Sequence, residues 1–150
     1  MLRWIVLGVV GVAAAGGILL AMGGGEPQPA RIPYGDSAMV ERGRAVYAEA
    51  CASCHGANLE GQENWRERMA NGRLPAPPHD ESGHTWHHPD QQLFDITKYG
   101  VAKFAPPGYE TDMPGFEGVL SDSDILASLA YIKSTWPEAI QRRHDQMQGS

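Results

Sequence analysis

Only two cysteines occur in the 150 residues, Cys51 and Cys54. So few exclude a disulfide-dense scaffold. Neither follows the N-terminal apolar stretch, which excludes anchoring through a lipid-modified cysteine. Positive charge is also scarce: 12 Lys and Arg stand against 18 Asp and Glu, a net charge of −6. No basic run supplies a stripe for phosphates, so nucleic acid is not an expected partner. Internal repeats are missing. No stretch reads convincingly as a strand, which removes the expectation of a sheet. What remains is 42% hydrophobic and 20% charged, with 18 Gly and 11 Pro, the composition of a globular chain with many turns.

The mean hydropathy of −0.35 averages two unlike parts. Trp4 to Met22 are all apolar or small, and no charge lies between Arg3 and Glu26. At 1.5 Å per residue that run spans roughly 28 Å, close to the hydrocarbon thickness of a bilayer. Arg3 before it and Glu26 after it orient the N-terminus to the cytoplasm and the rest outside. The rival reading is a cleaved signal, with a small-residue site at Ala13-Ala14-Ala15 or near Ala21-Met22-Gly23. Either way the segment exports the remainder of the chain. We expect residues 1–25 to be a retained single-pass anchor of the inner membrane. Residues 26–36 are then a Gly/Pro-rich tether, residues 37–137 a periplasmic domain and residues 138–150 a polar tail, helical in part.

Within that domain a helical pattern begins at Ser37, with Val40, Gly43, Tyr47 and Ala50 on one face. It runs into Cys51-Ala52-Ser53-Cys54-His55. Residues 56–88 read as loop, with a short helix predicted over Trp65 to Ala70. A second helix starts at His88-Pro89-Asp90, carries Leu93, Phe94, Ile96 and Thr97, and stops at Gly100. The clearest helix is the last. Ser121 caps it, acidic residues fill its first turn, and Ile125, Leu129, Ile132 and Trp136 form its stripe. Three or four short helices around a long loop make a thin core, which would gain from a metal or a large prosthetic group as a staple.

The chemistry is carried by Cys51-x-x-Cys54-His55, the attachment signature of c-type haem. Two thiols three positions apart at a helix end lie on one side of the chain and reach the two vinyl groups of one porphyrin edge. The next residue brings its imidazole under the iron. Three rivals stand beside this reading. A thioredoxin-like pair lacks its βαβ context. A zinc site completed by His84 and His87 has unusual spacing. A structural disulfide would be strained at this separation. With haem, a second axial ligand decides between electron exchange and an open reactive iron. Of the six methionines, Met1 and Met22 lie in the leader, Met39 and Met69 in helical patterns, and Met147 in the tail. Met113 remains, in an irregular stretch before the final helix, where Pro114 restricts it to extended geometry. Its rival role is an ordinary core methionine.

From about residue 38 to 136 the chain resembles the class I c-type cytochromes, in particular bacterial membrane-anchored ones with a single haem. Gly43 and Tyr47 resemble the glycine and aromatic residue of that family's first helix, and Ala130-Tyr131-Ile132-Lys133 the facing stretch of its last helix. The resemblance implies an all-α cytochrome c fold wrapped round one covalent haem c, preceded here by a transmembrane helix. It implies attachment through Cys51 and Cys54, and iron ligation by His55 and Met113. Gly83-His84-Thr85-Trp86 resembles the mitochondrial-type segment whose tryptophan bonds a haem propionate, which gives that role to Trp86. Pro77-Pro78 resembles the proline whose carbonyl accepts the proximal histidine's proton, and leaves open which proline does so. Arg73 is a further candidate for a propionate. The implied function is single-electron transfer between a quinol-oxidising complex and a terminal oxidase or periplasmic reductase, without enzymatic turnover. The alternatives are a haem subunit of a peroxidase or dehydrogenase, and a copper-binding protein using His79, His84, His87 and His88 with Asp80 and Glu81.

Overall fold

The computed structural model describes residues 30–149. Five α-helices account for the regular structure: α1 (Ser37–Ala50), α2 (Ala52–His55), α3 (Asp90–Tyr99), α4 (Asp122–Ser134) and α5 (Glu138–Gln146). Single 3-10 turns lie at Thr85–His87, Val101–Lys103 and Met147–Gly149. Among the described residues there is no strand.

Local chemistry explains where the helices begin and end. Asp36 caps α1 by accepting from the backbone N–H groups of Ala38 and Met39 at 2.9 and 3.2 Å. Ser121 accepts from Asp124 N at 3.1 Å to start α4, with Asp122 and Asp124 at the positive end of its dipole. Pro89 precedes α3, and Gly100 ends it at φ 84. The helix predicted over Trp65 to Ala70 is instead a turn. Asn64 lies in the left-handed region at φ 53, and Glu67 N donates to Asn64 O, which closes one turn without propagating it.

The core forms where α1 packs against α4, the largest helix–helix contact among the described residues. Gly43 makes it possible. A Cβ there would sit 2.5 Å from the Ala127 carbonyl carbon and 3.0 Å from Tyr131 Cβ, so only glycine lets the backbones approach this closely. Tyr47, one turn on, is buried, with its ring 5.5 Å from that of Tyr131 and its hydroxyl donating to Gly56 O at 2.9 Å. That bond ties the end of α1 to the residue after His55. Ile125, Leu129, Ile132 and Trp136 fill the rest of the core together with Leu59 and Leu93.

Two segments differ from the sequence expectation. The polar stretch after Pro137 is helical and also docks on the molecule as α5, where His144 is 0% exposed. Its Nε2 donates to the His88 carbonyl at 2.8 Å, and its ring meets Trp136 edge-on. Lys133 and Asp145 lock the helix in place, with Nζ 2.6 Å from the carboxylate. The second difference concerns the tether. From Ala30 onward it is pinned to α3 and α5: Ala30 N donates to Gln91, Ile32 N to Asp90 and the Tyr34 hydroxyl to Asp145, at 2.6, 3.1 and 2.6 Å. Ile32 enters the core. The expected membrane helix over 1–25 and the start of the tether lie outside the described residues. Among those described, no helix is long and apolar enough to cross a membrane.

Candidate functional site

α1 delivers Cys51, and the single turn of α2 turns Cys54 and His55 toward one cavity of about 830 Å³. That volume lies within the range of sites for cofactors of large size. Leu129, Ile132, Phe116 and Leu74 give it an apolar lining, and the buried Ser128 of α4 and Thr97 of α3 also line it. Both cysteines are free thiols, Cys54 exposed and Cys51 half-buried. Burial, helped by the neighbouring Cys54, pushes the Cys51 thiol up to about 11. It is protonated at neutral pH.

His55 is buried, and its Nδ1 lies 2.8 Å from the Pro77 carbonyl oxygen. A carbonyl only accepts, so Nδ1 carries the proton and Nε2 keeps its lone pair. Burial lowers the pKa, and the Pro77 bond opposes that only in part. The ring is therefore neutral at pH 7, the form a metal needs. Of the two prolines it is Pro77 that supplies the acceptor, and Pro78 is buried beside it. Gly61 fixes their position: at φ +69, a Cβ on it would lie 2.6 Å from the Pro77 carbonyl carbon.

Met113 lines the same cavity, carried by the irregular segment between α3 and α4. Its backbone N–H donates to Thr111 Oγ1 at 3.1 Å. The structure thus brings Cys51, Cys54, His55, Pro77 and Met113 to one space. The fit to a haem is chemical as well as volumetric. Two thiols stand at one wall, a neutral imidazole is oriented through its far nitrogen, a thioether faces the same space, and apolar side chains line the remainder.

Two residues expected at the haem do not line this cavity. The indole N–H of Trp86 donates to Glu81 O at 3.3 Å, and its ring is packed between His87 and Arg143, off the cavity. Arg73 is engaged by Asp112 and Glu110 rather than aimed at the cavity. Polar groups that do line it include Trp65, Arg66, Asn71, His79 and His84. Trp65 stacks on His84 at 5.3 Å, and the Arg66 guanidinium lies 4.1 Å over the Trp65 ring. No periodicity marks Trp65, which sits in a turn. Its only signal in the sequence is an aromatic residue beside an arginine in the loop after the haem motif.

The four clustered histidines mostly have other neighbours, although the His84 and His88 rings lie 5.4 Å apart. His79 stacks on His55 at 4.0 Å and bonds Thr85 Oγ1 at 2.8 Å. Burial, then the nearby His55 and His84, hold its pKa well below the ordinary value. His84 is taken up by Trp65, and His87 by Trp86 at 3.7 Å. Among the described residues no group of three or more His, Cys, Asp or Glu is placed to hold an ion.

Residues 40–136 match the family model for cytochrome c. Searches of the curated proteins and of the solved structures find no match.

Proposed function

The chain belongs to the cytochrome c family of haem-containing electron-transfer proteins and carries covalently bound haem c, and on that premise we propose that it is a class I, monohaem carrier with His55 and Met113 as axial ligands. The observation that carries this reading is the His55–Pro77 bond, 2.8 Å long, in a cavity that Met113 also lines. The bound haem supplies one chemistry, the gain and loss of a single electron at iron.

The chain's own residues do the rest. Cys51 and Cys54 hold the group permanently, which a small domain outside the cell requires. Pro77 fixes the His55 tautomer and orientation and raises the basicity of Nε2. A thioether from Met113 favours the reduced metal over a second imidazole and closes the position a substrate would need. Leu129, Ile132 and Phe116 exclude water and lower the local dielectric. Trp65, Arg66, Asn71 and His84 are among the donors available to haem carboxylates. The finer reading includes a tether through residues 1–25 and a periplasmic location. Its donor is a quinol-oxidising complex, and its acceptor an oxidase or reductase. Membrane tethering would raise the effective concentration at such partners.

Expression with haem maturation machinery tests the ligand set. The expected product has one haem mass and a ferric spectrum with a methionine-to-iron charge-transfer band. Met113→Ala is expected to abolish that band and lower the midpoint potential. An unchanged spectrum in that variant would remove Met113 from the iron.

A further inference from the structure

The segment that carries Met113 is held differently at its two ends. On the C-terminal side the backbone itself is fixed. Phe116 N donates to Thr97 O at 3.1 Å and Glu117 N to Lys98 O at 2.8 Å, which joins the segment to the end of α3. Gly115 is pressed so close that a Cβ on it would meet the Tyr99 carbonyl carbon at 2.7 Å. On the N-terminal side the chain is exposed, with Phe104 52% accessible. Among the described residues no backbone hydrogen bond joins 105–114 to any other part of the chain. What reaches across is two side chains. Arg73 pairs with Asp112 through Nη1 and stands 3.6 Å from Glu110 Oε2 through Nε. The Arg68 guanidinium lies 5.7 Å over the Tyr109 ring.

Arg73 is itself well seated. Its N–H donates to Asn71 Oδ1 at 3.0 Å, its carbonyl accepts from Met69 N at 2.8 Å, and its Nε is buried with no hydrogen-bond partner. It belongs to the same loop as Pro77, which orients His55. Asp112 is the residue immediately before Met113. One guanidinium therefore links the loop that seats one axial side chain to the loop that carries the other.

We propose that Arg73 is a positioning residue: its clasp on Asp112 and Glu110 holds the Met113 segment closed over the haem cavity and sets how readily Met113 leaves the iron. This rests on the reading of Met113 as an axial ligand. The segment opens at its N-terminal side and hinges where Gly115 and Phe116 are pinned to α3. A guanidinium keeps its charge at any working pH, so the clasp responds to salt and to competing carboxylates instead. Exposed ion pairs are weak, so the device biases a local opening without carrying the fold.

Imidazole binding to the ferric haem-loaded protein reads that opening, because a neutral competitor enters only when the methionine is displaced. Arg73→Gln is expected to tighten apparent imidazole binding by about three- to tenfold. Raising salt should tighten it in the unaltered protein and have no effect in the variant. Arg73→Lys should restore part of the difference, and the swap of Arg73→Asp with Asp112→Arg more of it. Arg42→Gln breaks the Arg42–Asp124 pair that joins α1 to α4 and is expected to leave imidazole affinity unchanged. Equal affinity in Arg73→Gln and the unaltered protein, with the charge-transfer band present in both, overturns the clasp while leaving Met113 as ligand. An effect of Arg42→Gln as large as that of Arg73→Gln overturns the clasp as well. If the band is absent before any substitution, the ligand reading fails and takes the clasp with it.

Discussion

Replacing Lys133 by methionine removes one charge from a buried polar cluster and keeps an unbranched apolar stem of similar length. Lys133 is 1% exposed. Its Nζ lies 2.6 Å from Asp145 Oδ1, 3.7 Å from Asp90 Oδ1 and 4.4 Å from the centre of the Tyr34 ring. The two carboxylates face the loss differently. Asp145 has a side chain 43% exposed and can turn to water, whereas that of Asp90 is 3% exposed and cannot. Asp90 would keep the Ile32 N–H on Oδ2 but lose the ammonium near Oδ1, an atom that already lacks a hydrogen bond. Removing one partner of a buried pair in this way costs about 3–5 kcal/mol. Guanidinium unfolding of the haem-loaded protein at pH 7, followed by circular dichroism, would report that loss as a shift of midpoint at constant slope. Adding Asp90→Asn removes the stranded charge and should return more than half of the stability. A loss below about 1 kcal/mol, or a double variant no better than the single one, would show that the cluster is not what holds α5 and the N-terminal segment.

Gly43→Ala forces α1 away from Ala127 and is expected to destabilise by about 1–3 kcal/mol in the same assay, with haem attachment intact by mass. Stability should also fall between pH 7 and pH 5. His79, His84 and His144 all have pKa values held below the ordinary 6.5, in each case chiefly by burial. Below pH 6.5 the unfolded chain therefore binds more protons than the folded one. The contribution is complete above that value and is lost as pH falls toward the folded values, by up to about 1.4 kcal/mol per pH unit for each group. Unfolding midpoints of His144→Gln across this range should show a shallower slope, and an unchanged slope would exclude His144 as a source. A separate loss is expected below pH 4 from Asp145. There burial raises the pKa, but the Lys133 and Tyr34 bonds outweigh it, so the folded carboxyl holds its charge below the ordinary 3.8.

The parts of this molecule legible in its sequence are those with local causes. Asp36 and Ser121 cap helices through their own side chains, and Gly100 stops α3 by its own backbone. The cysteine pair and His55 lie within five consecutive positions, so their meeting at one cavity needs no long-range information. Several features that depend on distant partners were less visible. α5 contains only Ala139 and Ile140 as apolar residues, and it docks through a buried histidine and an ion pair that no hydrophobic pattern announces. The identity of the cavity tryptophan rested on similarity to a segment around Trp86, whereas the loop fold presents Trp65. Arg73 carries a charge that would suit a propionate. Its actual partners, Glu110 and Asp112, lie far along the chain, so the choice was tertiary. The choice between Pro77 and Pro78 turned on the turn geometry set by Gly61.

The pinned N-terminal segment brings the two ends of the described chain together. Arg31 Nη2 donates to the Gln148 carbonyl at 2.7 Å, and the Gln148 side chain accepts from Asp90 N at 2.8 Å, so the first and last described stretches share a single spot at the start of α3. A short peptide joining 148 to 30 would close the polypeptide into a ring with little rearrangement. New ends could then be cut near Val119, which is 73% exposed, and a circularly permuted protein made in this way would keep its haem motif and its final helix in one continuous stretch of a reordered chain.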